Sequence, residues 1–118
     1  RCVEDAALVL RLARERVPLT VCPLSNVKLR VFPSLAAHNL PALLAAGLCV
    51  TINADDPAYF GGYVVQNYLE TFAALPQLTA EHALTLARNS FEASFVPAAD
   101  KARWGAQLEA VRQRVMAA

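Results

Sequence analysis

Long apolar runs, blocks of charge and paired cysteines are all missing from this 118-residue sequence. No apolar run approaches the roughly 18 residues of a membrane span, and no signal-peptide pattern is present, so we expect no contact with a membrane. The net charge is +1 with no basic block, which gives electrostatic binding of nucleic acid little support. The three cysteines include no CxxC pair, which argues against a disulfide framework and favours a reducing compartment, the cytoplasm.

Charged residues are also scarce, while apolar residues are abundant. Charged residues make up 18% of the chain, against a typical value of about 25%, and apolar residues make up 56%, against about 45–50%. The length allows one modest domain. We expect a chain this short and apolar to bury surface against something else, either the rest of a larger body or a second copy in a homo-oligomer.

The spacing of the apolar residues predicts the order helix, strand, helix, strand, helix, helix, helix. The predicted helices span residues 4–16, 39–46, 63–74, 79–93 and 98–116, and the predicted strands span 19–22 and 48–53. Both strands lack polar alternation, which is typical of buried parallel strands, and a helix-containing crossover joins them. The sequence therefore predicts an α/β fold containing a βαβ unit.

Several details of these elements follow from local chemistry. Pro23 is expected to end the first strand and to leave Ser25 and Asn26 in a loop. Thr79 and His82 resemble a capping box. The residues expected to face inward in the last three helices are Val64, Tyr68 and Phe72, then Leu84, Ala87 and Phe91, then Trp104, Leu108, Val111 and Val115.

The best functional lead is the pair of acids that ends the second strand. Asp55 and Asp56 follow a β-branched run and precede Pro57, which cannot donate to a ladder. In parallel α/β sheets and barrels, chemistry gathers at the carboxyl ends of strands. On spacing alone, however, an ordinary strand-to-loop turn is slightly favoured, because Asp bonds its own backbone in turns.

Two ordered motifs resemble the purine deaminases of the adenosine deaminase family. Residues 53–57 read Asn-Ala-Asp-Asp-Pro and are followed by Tyr-Phe at 59–60, similar to the last barrel strand of that family. Residues 21–26 read Val-Cys-Pro-Leu-Ser-Asn, similar to the strand before it, and the helix at 43–47 lies between the two. The details of both segments look more like the bacterial adenine deaminase branch than the nucleoside-acting members.

The resemblance implies a fold and a division of the chain. Two strands cannot form a stable barrel, and a (β/α)8 TIM barrel takes about 250 residues. The chain is expected to be the C-terminal portion of such a barrel. Residues 1–60 would supply its last two strands and their helices, and residues 61–118 a helical C-terminal extension.

The resemblance also implies roles for four residues in zinc-dependent deamination of a purine. Asp55 matches the aspartate that binds Zn²⁺ and orients the attacking water, which makes it both a metal ligand and a catalytic residue. Asp56 matches the neighbouring aspartate that contacts the imidazole side of the purine ring. Ser25 would hydrogen-bond the ligating carboxylate without touching the metal, and Asn26 would help shape the pocket.

Other parts of the family's site have no match in this sequence. The remaining ligands come from a His-x-His pair, a His before a Gly-Glu pair whose Glu is the general acid/base, and a His at a His-Gly strand end. None of these motifs occurs here, and the two histidines, His38 and His82, are interpreted as structural or solvent-facing. Residues 1–5 resemble the segment directly after the His-Gly motif. We therefore expect the chain alone to be inactive.

Three functions are consistent with these observations. The first is part of a zinc adenine deaminase of purine salvage, releasing hypoxanthine and ammonia, with adenosine as the alternative substrate. The second is a non-catalytic structural or association module that acts through its apolar faces. The third, a different metal-dependent hydrolase on the same barrel, is disfavoured by the Cys-Pro-Leu-Ser-Asn element.

Overall fold

Two short strands pair in parallel at the centre of the fold, as the sequence predicts. In the computed structural model, which describes residues 1–117, β1 spans Pro18–Val21 and β2 spans Cys49–Ile52. Val21 lies opposite Ile52 in the register of the pair. All four residues of β2 are buried, as expected of a parallel strand that is covered on both faces.

Seven α-helices surround these strands in the part of the chain that the structure describes. They are α1 (Ala6–Arg14), α2 (Pro23–Lys28), α3 (Leu40–Ala45), α4 (Pro57–Phe60), α5 (Val64–Ala74), α6 (Ala80–Ala93) and α7 (Ala98–Met116), with short 3-10 turns at Cys2–Glu4 and Leu35–Ala37. Among these helices, none combines the length and the apolar character that crossing a membrane requires.

The predicted boundaries of the last two helices agree with the structure. The capping box at the start of α6 is present, since the backbone N–H of Thr79 donates to Nδ1 of His82 over 2.9 Å. The first helix is shorter than predicted at both ends. Asp5 caps it by accepting from the backbone N–H of Leu8, and the chain turns away at Arg16, whose φ is +53°.

The loop predicted at Ser25 and Asn26 is wrong, because these residues lie inside α2. The sequence predicts that Pro23 ends the preceding strand, but this proline also occupies the first turn of the helix. An N–H group at that position has no intrahelical partner, so its absence from proline costs the helix nothing. The consequence is that the Ser25 side chain is carried by a helix that starts directly after β1.

The inward face predicted for α5 is only partly right. Tyr68 and Phe72 pack against the core, but Val64 is 45% exposed. The most deeply buried positions of this helix are instead the polar residues Asn67 and Thr71. Hydrophobic spacing could not indicate these two polar residues. The Asn67 side chain hydrogen-bonds to neighbouring backbone, whereas the Thr71 hydroxyl has no hydrogen-bond partner among the described residues.

The inward face predicted for α6 is corrected in a similar way. Leu84, Ala87 and Phe91 are half-buried, whereas Leu86 and Asn89 are the buried residues. The reason is that α6 packs on two partners, β2 and α7, so that its most covered side differs from the centre of its apolar stripe.

The last helix, α7, has no fully buried residue. Its predicted inward residues Trp104 and Leu108 are half-buried, with the Trp104 ring 5.7 Å from that of Phe91. Val111 and Val115 are 40% and 61% exposed, contrary to the prediction. Because α7 packs mainly on α6, the far end of its apolar stripe has nothing above it.

Candidate functional site

The site is built where the two parallel strands end side by side. The ladder continues one residue beyond β2, since the backbone N–H of Asn53 donates to the carbonyl of Val21 over 2.8 Å. The Asn53 side chain also donates to Oγ1 of Thr51 over 2.8 Å. These bonds fix the direction in which the chain leaves the sheet, two residues before the first acid.

Asp55 adopts a backbone conformation that few residues tolerate. Its φ is +60°, in the left-handed region that Asp and Asn enter more readily than other side-chain-bearing residues. Such backbone persists only where the surrounding structure enforces it, and it concentrates at functional sites. This turn presents the Asp55 side chain on the exposed surface at the carboxyl end of β2.

Ser25 and Asp55 are in direct contact. Oγ of Ser25 donates to Oδ2 of Asp55 over 2.7 Å, the short distance that is typical of a hydrogen bond to a carboxylate. Ser25 is 1% exposed, so its hydroxyl is held by the packing of α2 rather than by solvent. No residue between 1 and 117 donates a hydrogen bond to the other oxygen of Asp55, Oδ1, which stays available to a ligand.

Asp56 has a different environment from its neighbour. It is the N-cap residue of α4, and its Oδ1 accepts from the backbone N–H of Tyr59 over 3.2 Å. The turn interpretation is therefore correct for Asp56, whose side chain satisfies one donor of the helix end. Its second carboxylate oxygen is not engaged by this cap.

The side chain of Asn26 faces His38. Their Oδ1 and Nε2 atoms lie 2.9 Å apart, and Nδ1 of His38 accepts from the backbone N–H of Leu40 over 3.0 Å. Nδ1 therefore carries no proton, so Nε2 is the atom that donates to Asn26. His38 is 5% exposed, and burial lowers the pKa of its ring below the usual value. His38 also takes the capping role at α3, where the Asn39 side chain makes no cap bond.

A thiol lies next to the Ser25–Asp55 pair. Burial raises the pKa of Cys22, the nearby Asp55 carboxylate raises it further, and a hydrogen bond with the Asp55 backbone acts in the opposite direction. The neutral thiol is thus favoured beside the carboxylate. All three cysteines are free.

One carboxylate does not make a metal site. Within residues 1–117, no three side chains of His, Cys, Asp or Glu come together as a potential metal-binding group. The fit of Asp55 to a zinc ion is nevertheless good, because one oxygen is oriented by Ser25 and the other is uncommitted. Further ligands would have to come from residues outside this range.

A buried amide that the sequence did not single out also reaches this region. Asn67 of α5 accepts from the backbone N–H of Leu24, next to Ser25. The only available signal was a polar residue one position away from the apolar stripe of a helix, which is too common to point to a role.

Comparison with known proteins identifies the family. A family model described as adenosine deaminase matches residues 1–111. The chain belongs to the adenosine deaminase family. Among curated members, the adenine deaminases of Trichlorobacter lovleyi and Geotalea uraniireducens are 68% and 64% identical to it over 108 residues, which are 92% of this chain.

Two solved structures show the fold. The crystal structure of adenine deaminase from Arthrobacter aurescens has a TM-score of 0.88 and 47% identity, and the match covers 96% of this chain. A zinc-bound amidohydrolase from Burkholderia ambifaria has a TM-score of 0.79 over 98% of this chain but only 21% identity, so it supports the fold alone. The predicted fold class is confirmed: the chain is a fragment of a TIM-barrel enzyme. It spans about a third of its relatives, 31% of the first curated protein and 34% of the first structure.

Proposed function

We propose that the protein containing this chain is a zinc-dependent adenine deaminase, which converts adenine and water to hypoxanthine and ammonia. The observation that carries the proposal is the 2.7 Å bond from Ser25 to Asp55, at the joined ends of the two strands, in a chain whose curated relatives are adenine deaminases. In this proposal residues 1–60 are the last part of the barrel, and residues 61–118 are a C-terminal extension.

Asp55 is the residue that we assign to the metal. Its Oδ1 would bind Zn²⁺, while Ser25 holds Oδ2 and so fixes the plane of the carboxylate. A bound zinc ion would lower the pKa of a water molecule enough to make it a nucleophile near neutral pH. The role of this chain would be to orient that water through Asp55, and for this reason we assign a catalytic role to Asp55 as well as a metal-binding one.

Asp56 is the residue that we assign to the purine. Its N-cap bond fixes one oxygen, so the other is held at a defined position for a hydrogen bond to the imidazole side of the ring. Asn26 contributes by shaping the pocket, since its side chain is held by His38. Because Asp55 would be neutralised by a metal and Asp56 would not, adjacent acids can take different roles.

The same proposal implies the partners of the protein and its location in the cell. Its partner is a small purine, and neither nucleic acid nor membrane is part of the activity. Three free thiols are stable in the cytoplasm, where we place the enzyme. The exposed apolar residues of this chain would be covered by the rest of the barrel or by a second subunit in a homo-oligomer.

The test is an assay of the intact protein with adenine and with adenosine. We expect ammonia release from adenine, one zinc ion per site, and loss of both zinc and activity in Asp55→Ala. Asp100→Ala is the matched control, because this acid is engaged in an ion pair with Arg103 on α7. Preference for adenosine would make the protein an adenosine deaminase, and no ammonia from either substrate would leave a non-catalytic module. Full activity in Asp55→Ala would remove the metal assignment.

A further inference from the structure

Asn67 is a fully buried amide with three hydrogen bonds to backbone. Its Oδ1 accepts from the N–H of Leu24 over 3.1 Å, and its Nδ2 donates to the carbonyls of Gly62 and Tyr63 over 3.3 and 3.1 Å. If the amide were flipped, its NH2 group would face the Leu24 N–H, which is also a donor, and its oxygen would face two carbonyl oxygens, which are also acceptors. The partners therefore fix the orientation of the Asn67 amide.

These bonds join the two segments that carry the site. Leu24 precedes Ser25 in the first turn of α2, and Gly62 and Tyr63 end the segment that begins with Asp55 and Asp56. The N–H groups of a helix's first turn have no partner within the helix. Asn67 supplies the acceptor that the Leu24 N–H needs, at a place where the flanking residues Pro23 and Ser25 are buried.

The same two segments approach each other closely beside Asn67. Gly62 has a φ of +83°, and a Cβ atom added to it would lie 2.5 Å from Cδ1 of Leu24. Glycine at this position suits the unusual backbone conformation, and it leaves the space that the end of the Leu24 side chain occupies, so a larger residue would force Leu24 to move. Two features therefore hold α2 next to the segment after Asp56: the hydrogen bonds of the Asn67 amide and the absence of a side chain at Gly62.

We propose that Asn67 is a positioning residue, which acts through Ser25 to hold the Asp55 carboxylate in place. This inference rests on the proposed function, in which Asp55 binds the metal. α2 has only six residues, so little within the helix resists a shift of its first turn. A hydrogen bond of 2.7 Å tolerates a displacement of only a few tenths of an ångström, so the anchor of α2 controls whether Ser25 reaches Asp55.

The test is a double-mutant cycle in the intact metal-loaded protein, with the variants Asn67→Ala, Ser25→Ala and both together. The readouts are the rate of zinc transfer to a chelator and kcat for adenine. We expect Ser25→Ala to release zinc about 10-fold faster, the lower end of the effect of losing a partner of a metal ligand. Asn67→Ala should approach that rate, and the double variant should be no faster than Ser25→Ala alone.

Asn89→Ala separates positioning from general stability. Asn89 is also a buried amide, which donates to the backbone carbonyl of Val50 over 2.8 Å and accepts from Arg16 over 3.3 Å, so neither of these hydrogen bonds reaches α2 or residues 56–63. We expect it to lower the unfolding temperature while leaving zinc release unchanged. If Asn67→Ala does not fold, Gly62→Ala perturbs the same junction through Leu24 and should also speed zinc release.

Three results would overturn the inference, and each is distinguishable from the others. If folded Asn67→Ala releases zinc at the wild-type rate, the contact between α2 and residues 62–63 does not control the site. The same conclusion follows from Gly62→Ala if Asn67→Ala does not fold. A double variant that loses zinc faster than Ser25→Ala would show that Asn67 acts by another route. A wild-type protein that binds no zinc would overturn the proposed function and this inference with it.

Discussion

Asp55 and Asp56 are adjacent in sequence but are held by different kinds of partner. A side-chain hydroxyl from another helix donates to Asp55, whereas the backbone of its own helix donates to Asp56. Moving Ser25 therefore affects the first acid, and disturbing α4 affects the second. Two neighbouring carboxylates can then be tuned separately, which supports giving one to the metal and the other to the purine.

Two substitutions of Asp56 separate its cap from its proposed contact with the substrate. Asn is as good an N-cap residue as Asp, whereas Ala removes the cap at a cost of about 1 kcal/mol of stability. We expect both Asp56→Asn and Asp56→Ala to lower kcat/KM for adenine about tenfold or more, the value of one hydrogen bond to a charged group. Only Asp56→Ala should also lower the unfolding temperature. Wild-type kinetics in Asp56→Asn would mean that the carboxylate serves only as a cap.

At the scale of elements, the sequence was most informative where a boundary has its own chemistry. The Thr79–His82 capping box begins α6, as the residue types predict. Proline at position 23 was misread because it can either end a strand or begin a helix. The choice between a strand end and a helix start depends on the tertiary packing of the residues that follow, such as Ser25 against Asp55.

The buried faces of helices were harder to predict than their ends. The apolar stripe of α6 indicated Leu84 and Phe91, yet Leu86 and Asn89 are the buried residues because the helix packs between β2 and α7. Asn67 is buried because its amide hydrogen-bonds to backbone groups, and a pattern of apolar residues cannot predict such a polar position. Sequence patterns thus predict that a helix has a covered side, while its neighbours determine which side is covered.

The start of α3 should make stability depend on pH through His38. Burial lowers the pKa of this ring below its usual 6.5, so just below that pH the unfolded chain binds a proton that the folded chain does not. Stability from this group is complete above about pH 6.5 and is lost as the pH falls from there through the lower pKa of the folded state. The unfolding temperature of the intact protein should therefore drop over that range.

His38→Asn is the control for this pH dependence. Asn does not titrate, and its side-chain oxygen can take the place of Nδ1 as acceptor for the Leu40 N–H. We expect a smaller drop of the unfolding temperature between about pH 7 and pH 5 in the variant than in the wild type. Parallel curves for the two proteins would mean that His38 carries no pH-dependent stability.

At the scale of the whole molecule, the chain holds only part of a site and part of a barrel. Its two strands pair with each other, and in the described residues neither has a second strand beside it. The motifs at 21–26 and 53–57 led correctly to the family through their resemblance to it, since the spacing of the two acids alone favours an ordinary turn. The other ligands of the proposed metal site could not be placed, since the described residues contain no further group of potential ligands.

The isolated 118-residue chain should therefore differ from the intact protein in three measurable ways. It should retain no zinc after dialysis, because the proposed site takes one ligand, Asp55, from this chain and the described residues contain no cluster of three. It should release no ammonia from adenine. It should also self-associate in sedimentation experiments, because exposed apolar side chains such as Leu10, Leu69 and Phe95 and two open strand edges lack a cover. Stoichiometric zinc and deamination by the isolated chain would show that these residues form a complete site, possible only if several copies combine their ligands.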